Sequence, residues 1–188
     1  MDLTEEITSA EKMVQITPEG HEDLPMHLIN LGKLYRSRSK LTGSGKLADI
    51  SEAILSGQKA SQLTPKGNVA IPVYLTNLGA WFESRFEYTG NMVDLSAAIS
   101  SKQQAIYLTP EEHTTAPTEL ASLGDLYLRR WERTGSKADI SDAILCLEKA
   151  VNLTPGPTRA SGYTCTAEYP WKFLYISLRM HRKCGRPF

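Results

Sequence analysis

Four Thr-Pro steps, Thr17-Pro18, Thr64-Pro65, Thr109-Pro110 and Thr154-Pro155, recur with the prolines 47, 45 and 45 residues apart. A period of that size belongs to a stack of similar two-element units, each burying its apolar face only against its neighbours. Such stacks usually present an extended binding surface and rarely host catalysis.

The rest of the period keeps register with these steps. Seven residues after each of the first three prolines stands another: Pro25, Pro72 and Pro117. An apolar-x-x-Leu-Gly-x-x-aromatic string follows: Leu28, Leu31, Gly32, Tyr35; Leu75, Leu78, Gly79, Phe82; Leu120, Leu123, Gly124, Tyr127. Thr-Gly steps stand at Thr42-Gly43, Thr89-Gly90 and Thr134-Gly135. Each unit closes on an Asp-aliphatic-Ser string at Asp49, Asp94 or Asp139 and a shared apolar pattern, such as Ile140, Ala143, Ile144 and Ala150. Both halves have helical periodicity. Proline suits a helix's first turn, and the Gly of Thr-Gly suits the left-handed residue after a helix end. Asp49 with Glu52 has the spacing of a capping box, which would start the second helix at the Asp. Thr before Pro is driven from helical geometry, which ends it. The spacing therefore predicts seven helices, over residues 2–15, 24–41, 49–63, 71–88, 94–108, 116–133 and 139–153. The fold class is all-α, a right-handed solenoid of antiparallel pairs, a half unit plus three full units in residues 1–155.

Gly32, Gly79 and Gly124 share one phase inside a helix, where each costs roughly 1 kcal/mol against alanine. That coincidence predicts a close approach to the partner helix, with Ala53/Ala60, Ala98/Ala105 and Ala143/Ala150 as its small surface. Residues 2–16 have the phase of a lone second helix, which leaves an apolar face uncovered. Fraying and self-association through the array ends are expected from this.

The string Leu28-x-x-Leu31-Gly32-x-x-Tyr35, with Ala53, Ala60 and Pro65 after it, resembles the tetratricopeptide repeat. The Gly-to-Ala stretch is longer than in that family. Arg85-Phe86-Glu87-Tyr88-Thr89-Gly90 and Arg130-Trp131-Glu132-Arg133-Thr134-Gly135, with the linker residues His21, Asn68 and His113, are similar to the long-unit arrays of mushroom-forming fungi. Those arrays often precede a caspase-like CHAT protease domain. The first unit departs from the strings: Arg38-Ser39-Lys40-Leu41 lacks the aromatic and the acid. The resemblance implies a non-catalytic interaction scaffold for a peptide or protein segment. Its alternative is a detached sensor or regulatory fragment of a CHAT-type protease. The catalytic His and Cys motifs of that protease have no counterpart in the sequence.

Binding is expected on the inner face of the first helices, at Ile29, Lys33 and Arg36, then Thr76, Ala80 and Glu83, then Ala121, Asp125 and Leu128. This set differs from the Lys/Asn/Arg set that clamps a terminal carboxylate in tetratricopeptide modules. Arg85/Glu87 and Arg130/Glu132 have the place of a structural contact near a helix end, and Trp81 and Trp131 read as core. His21 and His113 suit a linker or capping role, since no cluster completes a metal site. Cys146 suits packing. Cys165 or Cys184 with His181 lacks an orienting third group for catalysis, and Lys46 after Gly45 follows no strand as a phosphate loop would. No catalytic residue, cofactor or metal is assigned.

Formal charge is zero, from 21 basic and 21 acidic residues. Residues 156–188 hold six basic residues against one acid and form an irregular basic tail that breaks the period. The change of composition near Thr158 suggests a break in the reading frame. No nucleic-acid partner is expected. The longest apolar stretch, near Trp171–Leu178, is too short to cross a bilayer. No secretory leader is legible, and three cysteines without C-x-x-C spacing suit the cytoplasm.

Overall fold

Seven helices follow one another in the computed structural model, which describes residues 2–41, 46–110 and 113–154. They are α1 (Leu3–Ile16), α2 (Leu24–Leu41), α3 (Lys46–Leu63), α4 (Ile71–Thr89), α5 (Met92–Leu108), α6 (Ala116–Thr134) and α7 (Lys137–Leu153). Among the described residues there is no strand. The chain divides into two compact units, Met1–Pro110 and Glu111–Phe188. In the first, α2 pairs with α3 and α4 with α5, α3 packs on α4, α1 on α2, and α2 touches α4. In the second, α6 pairs with α7. The basic tail, residues 156–188, lies outside the described residues.

The Thr-Pro steps end helices by a specific chemistry. Thr17, Thr109 and Thr154 are extended, with ψ of 120°, 130° and 117°. Each hydroxyl turns back to donate to the carbonyl four residues earlier. Thr17 Oγ1 reaches Met13 at 2.6 Å, Thr64 reaches Ala60 at 2.7 Å, Thr109 reaches Ala105 and Thr154 reaches Ala150, both at 2.8 Å. A last-turn carbonyl that has no partner within its helix is thereby satisfied. At the opposite end of the pair, Gly90 and Gly135 take φ of +66° and +72°, and their amides donate to Phe86 and Trp131 at 2.7 Å.

The second helices begin two or three residues earlier than the capping-box spacing predicts. Asn91 caps α5 through Val93 N at 3.0 Å, and Ser136 caps α7 through Asp139 N at 3.4 Å. Asp49, Asp94 and Asp139 sit inside the first turn, buried. They are not caps because a stronger partner takes their carboxylates. Arg38, Arg85 and Arg130, each six residues after the helix glycine, fork onto them, with Nε···Oδ2 at 2.9, 3.0 and 3.0 Å. Nη2 closes each fork onto the second oxygen. The same guanidinium stacks on the aromatic three residues before it, 5.5 Å over Tyr35, 5.6 Å over Phe82 and 5.5 Å over Tyr127. Hydrogen bonding to the aspartate raises the Arg38 and Arg130 pKa values. The first unit keeps this contact despite its divergent sequence. It holds Ser39, 2% exposed and bonded to the Arg36 carbonyl at 2.7 Å, where the others bury Phe86 and Trp131.

The three glycines do mark close approaches, but of two kinds. A Cβ on Gly79 would stand 2.9 Å from Lys102 Cγ and 3.3 Å from the Ala98 carbonyl oxygen. On Gly124 it would stand 3.0 Å from Leu147 Cγ and 3.3 Å from the Ala143 oxygen. Backbone thus meets backbone within each pair. Gly32 instead makes room for the indole of Trp81, whose Cη2 would strike its Cβ. Gly57 of α3 completes the socket: a Cβ there would stand 2.6 Å from Trp81 Cζ3. Trp81 is 1% exposed and locks α4 onto the α2–α3 pair.

Candidate functional site

The first-helix faces expected to bind were located from helical phase alone, and the structure distributes those residues unevenly. On α2, Lys33 is exposed and Arg36 is half-buried. Ile29, assigned to the same face, is 2% exposed and belongs to the core. The physical reason is that α2 has α1, α3 and α4 packed around it, which leaves little of its circumference for solvent. On α4, Thr76, Ala80 and Glu83 are half-buried. On α6, in the second unit, Ala121, Asp125 and Leu128 are half-buried. Lys33 alone of the three charged positions Lys33, Glu83 and Asp125 is exposed.

A polar contact joins α2 and α4. Arg36 bridges them, its Nε donating to Ser84 Oγ at 3.3 Å, while Ser84 donates to the Ala80 carbonyl at 2.9 Å. Lys40 is exposed seven residues after Lys33, on the same face of α2. Lys46, at the start of α3, holds its ammonium 5.5 Å over the Tyr88 ring at the end of α4. Ser84, Lys40, Lys46 and Tyr88 were absent from the sequence-derived face. The i, i+7 spacing of Lys33 and Lys40 was the signal that could have found Lys40.

The remaining candidates resolve into local structural roles. His21 Nδ1 accepts from Asp23 N at 3.2 Å, Asn68 Oδ1 from Ala70 N at 2.9 Å, and His113 Nδ1 from Thr115 N at 3.4 Å. These three linker residues each tie the turn that leads into a first helix. Burial pushes the half-buried Cys146 thiol up to about 11, which makes it a poor nucleophile near neutrality. Cys165, Cys184 and His181 lie outside the described residues. Among the described residues no three His, Cys, Asp or Glu side chains converge as metal ligands, and no helix is long and apolar enough to cross a membrane.

These paired helices with a glycine contact define a class, the tetratricopeptide-like helical fold. The chain is similar to the crystal structure of MamA, with a TM-score of 0.58 and 21% identity over 98% of this chain and 91% of that one. Likeness at this identity establishes the fold. No family model matches the sequence, and no curated protein matches it.

Proposed function

We propose that this protein is a non-catalytic scaffold that binds a peptide or protein segment on the open faces of its first helices. One observation carries the reading. Positions that pack repeat from unit to unit, whereas positions on the open face do not. Gly32, Gly79 and Gly124 recur, as do the three Arg–Asp forks, while Lys33, Ala80 and Asp125 share one phase with three different chemistries. Folding fixes the first set and leaves the second to be chosen for recognition. A concave face of stacked helices is the surface such arrays use. Thr76, Ala80 and Glu83 on α4 with Lys33 and Arg36 on α2 serve as the face of the first unit; Ala121, Asp125 and Leu128 serve on α6. The three unpaired-looking cysteines favour a cytoplasmic setting.

Selection of a random displayed peptide library on the immobilised protein tests this. Enriched peptides should bind wild type and lose binding to A80R, whose long side chain covers the open face. Equal binding to A80R would put the binding surface elsewhere. No enrichment above an unrelated helical protein would refute the scaffold reading. The Arg85–Gly90 and Arg130–Gly135 strings favour a second reading, that the array is the sensor part of a larger CHAT-type protease. Reading the coding sequence outward on both sides tests it: a caspase-like domain downstream supports the fragment, and its absence refutes it.

A further inference from the structure

The four Thr-Pro steps cap their helices in the same way, but the helix that Thr17 ends is held differently from the others. The Thr17 hydroxyl donates to the Met13 carbonyl at 2.6 Å, and its amide reaches the same oxygen at 3.1 Å. The residue is half-buried and extended, with φ −80° and ψ 120°, and Pro18 follows it. Helix α1 buries Ile7 alone, whereas α3 and α5 bury seven residues each and α7 buries four. Tyr35 ties α1 to α2 by donating to Glu11 at 2.7 Å. A helix with so little buried surface opens at low free energy, so the last turn of α1 opens more readily than the last turns of α3, α5 and α7. Thr64 is the opposite case: it is 7% exposed, at the end of a helix packed on both α2 and α4. Charge also singles out Thr17. The last turn of α1 has no basic residue, and Glu19, Glu22 and Asp23 follow shortly after.

We propose that Thr17 is the acceptor of a proline-directed protein kinase, and that its phosphorylation releases α1 from α2. This modification site is independent of the scaffold reading. An acceptor hydroxyl must come into line with the γ-phosphate. Thr17 reaches that position when the last turn of α1 opens and the extended Thr-Pro step leaves the Met13 carbonyl. A bond forms from Thr17 Oγ1 to the γ-phosphorus of a nucleoside triphosphate, the bond from that phosphorus to the departing diphosphate breaks, and the hydroxyl proton passes to the base of the kinase. The product has lost the donor that satisfied Met13. It also places close to two negative charges at the negative end of the helix, among acids and with no cation in the turn. Both effects favour the open form, which frees Tyr35 from Glu11 and exposes the flank of α2 that α1 covers. Thr64 is excluded by burial. Thr109 and Thr154 are half-buried like Thr17, but they end helices that more buried side chains hold closed.

The test incubates the full chain with a recombinant proline-directed kinase and ATP, and follows each Thr-Pro step by phosphopeptide mass spectrometry. Thr17 should be phosphorylated roughly tenfold faster than Thr64, or more, because its helix opens at lower free energy. Thr17→Ala should remove that signal and leave the other steps as they were. Hydrogen exchange in residues 3–16 should become roughly tenfold faster on phosphorylation, from the lost hydrogen bond and the charge at the helix end, with α4 and α5 unchanged. Thr17→Val lacks the donor but adds no charge, and should speed exchange only about threefold. No incorporation at Thr17 overturns the inference. Equal rates at Thr17 and Thr64 also overturn it, since the kinase would then be acting on unfolded chain. Phosphorylation of Thr17 that leaves exchange in α1 at the wild-type rate refutes the release.

Discussion

Gly57→Ala should change sign with the residue at position 81. Its Cβ would stand 2.6 Å from Trp81 Cζ3 and 3.3 Å from Leu78 Cδ1. Carbon atoms prefer 3.5–4.0 Å, so the first contact is about 1 Å too short. The indole cannot retreat, because it is 1% exposed and Gly32 closes its other side. Overpacking of this kind costs about 1–3 kcal/mol. Removing a helical glycine returns about 1 kcal/mol. The net expectation is a loss of up to about 2 kcal/mol, a fall in Tm of up to roughly 8 °C for a chain this size. In a Trp81→Leu background the indole is gone, and leucine is what positions 34 and 126 carry at the same phase. There Gly57→Ala should stabilise by up to about 1 kcal/mol, a coupling of about 1–3 kcal/mol in the cycle. Urea unfolding of the four proteins measures it, provided the slope m is shared. Stabilisation by Gly57→Ala in both backgrounds would refute the socket.

Gly79→Leu should destabilise by several kcal/mol, because the Ala98 carbonyl 3.3 Å from its Cβ belongs to backbone and cannot yield; a thermal melt indistinguishable from wild type would disprove the close approach. Arg130→Met should cost about 2 kcal/mol, since it leaves the buried Asp139 carboxylate unpaired, a value below that of a fully buried pair because Arg130 is 27% exposed. Adding Asp139→Leu should recover part of that loss in chemical denaturation, and further destabilisation instead would show that the fork is not the partner of the carboxylate. Cys146 should alkylate far more slowly than glutathione at pH 8, with its rate still rising as pH approaches 11, because only the thiolate reacts and burial keeps the thiol protonated. Peptide mass spectrometry separates it from Cys165 and Cys184, and a rate that plateaus near pH 8.5 would contradict that burial.

What the sequence determined by itself was the period and its punctuation. Thr-Pro, Thr-Gly and the first-turn prolines act through their own backbone geometry and a hydroxyl four residues from its acceptor, so repetition alone exposed seven helices and their ends. The helix glycines were legible for the same reason, as a local cost repeated at one phase. Only the tertiary structure decided which chemistry each repeated residue performs. Asp49 read as a cap, yet at Asp49, Asp94 and Asp139 alike an arginine nine or eleven residues earlier on the paired helix takes the carboxylate, and a charge-assisted fork outweighs a single amide. Phase alone put Ile29 on the open face, but the helices packed around α2 bury it. Trp81 read as core; that it fills a hole made by glycines on two other helices depends on three segments meeting. Local rules propagate along a chain through backbone sterics, whereas burial and charge pairing depend on neighbours far away in sequence, and so the Trp81 socket and the Arg–Asp forks became legible only once the helices were packed.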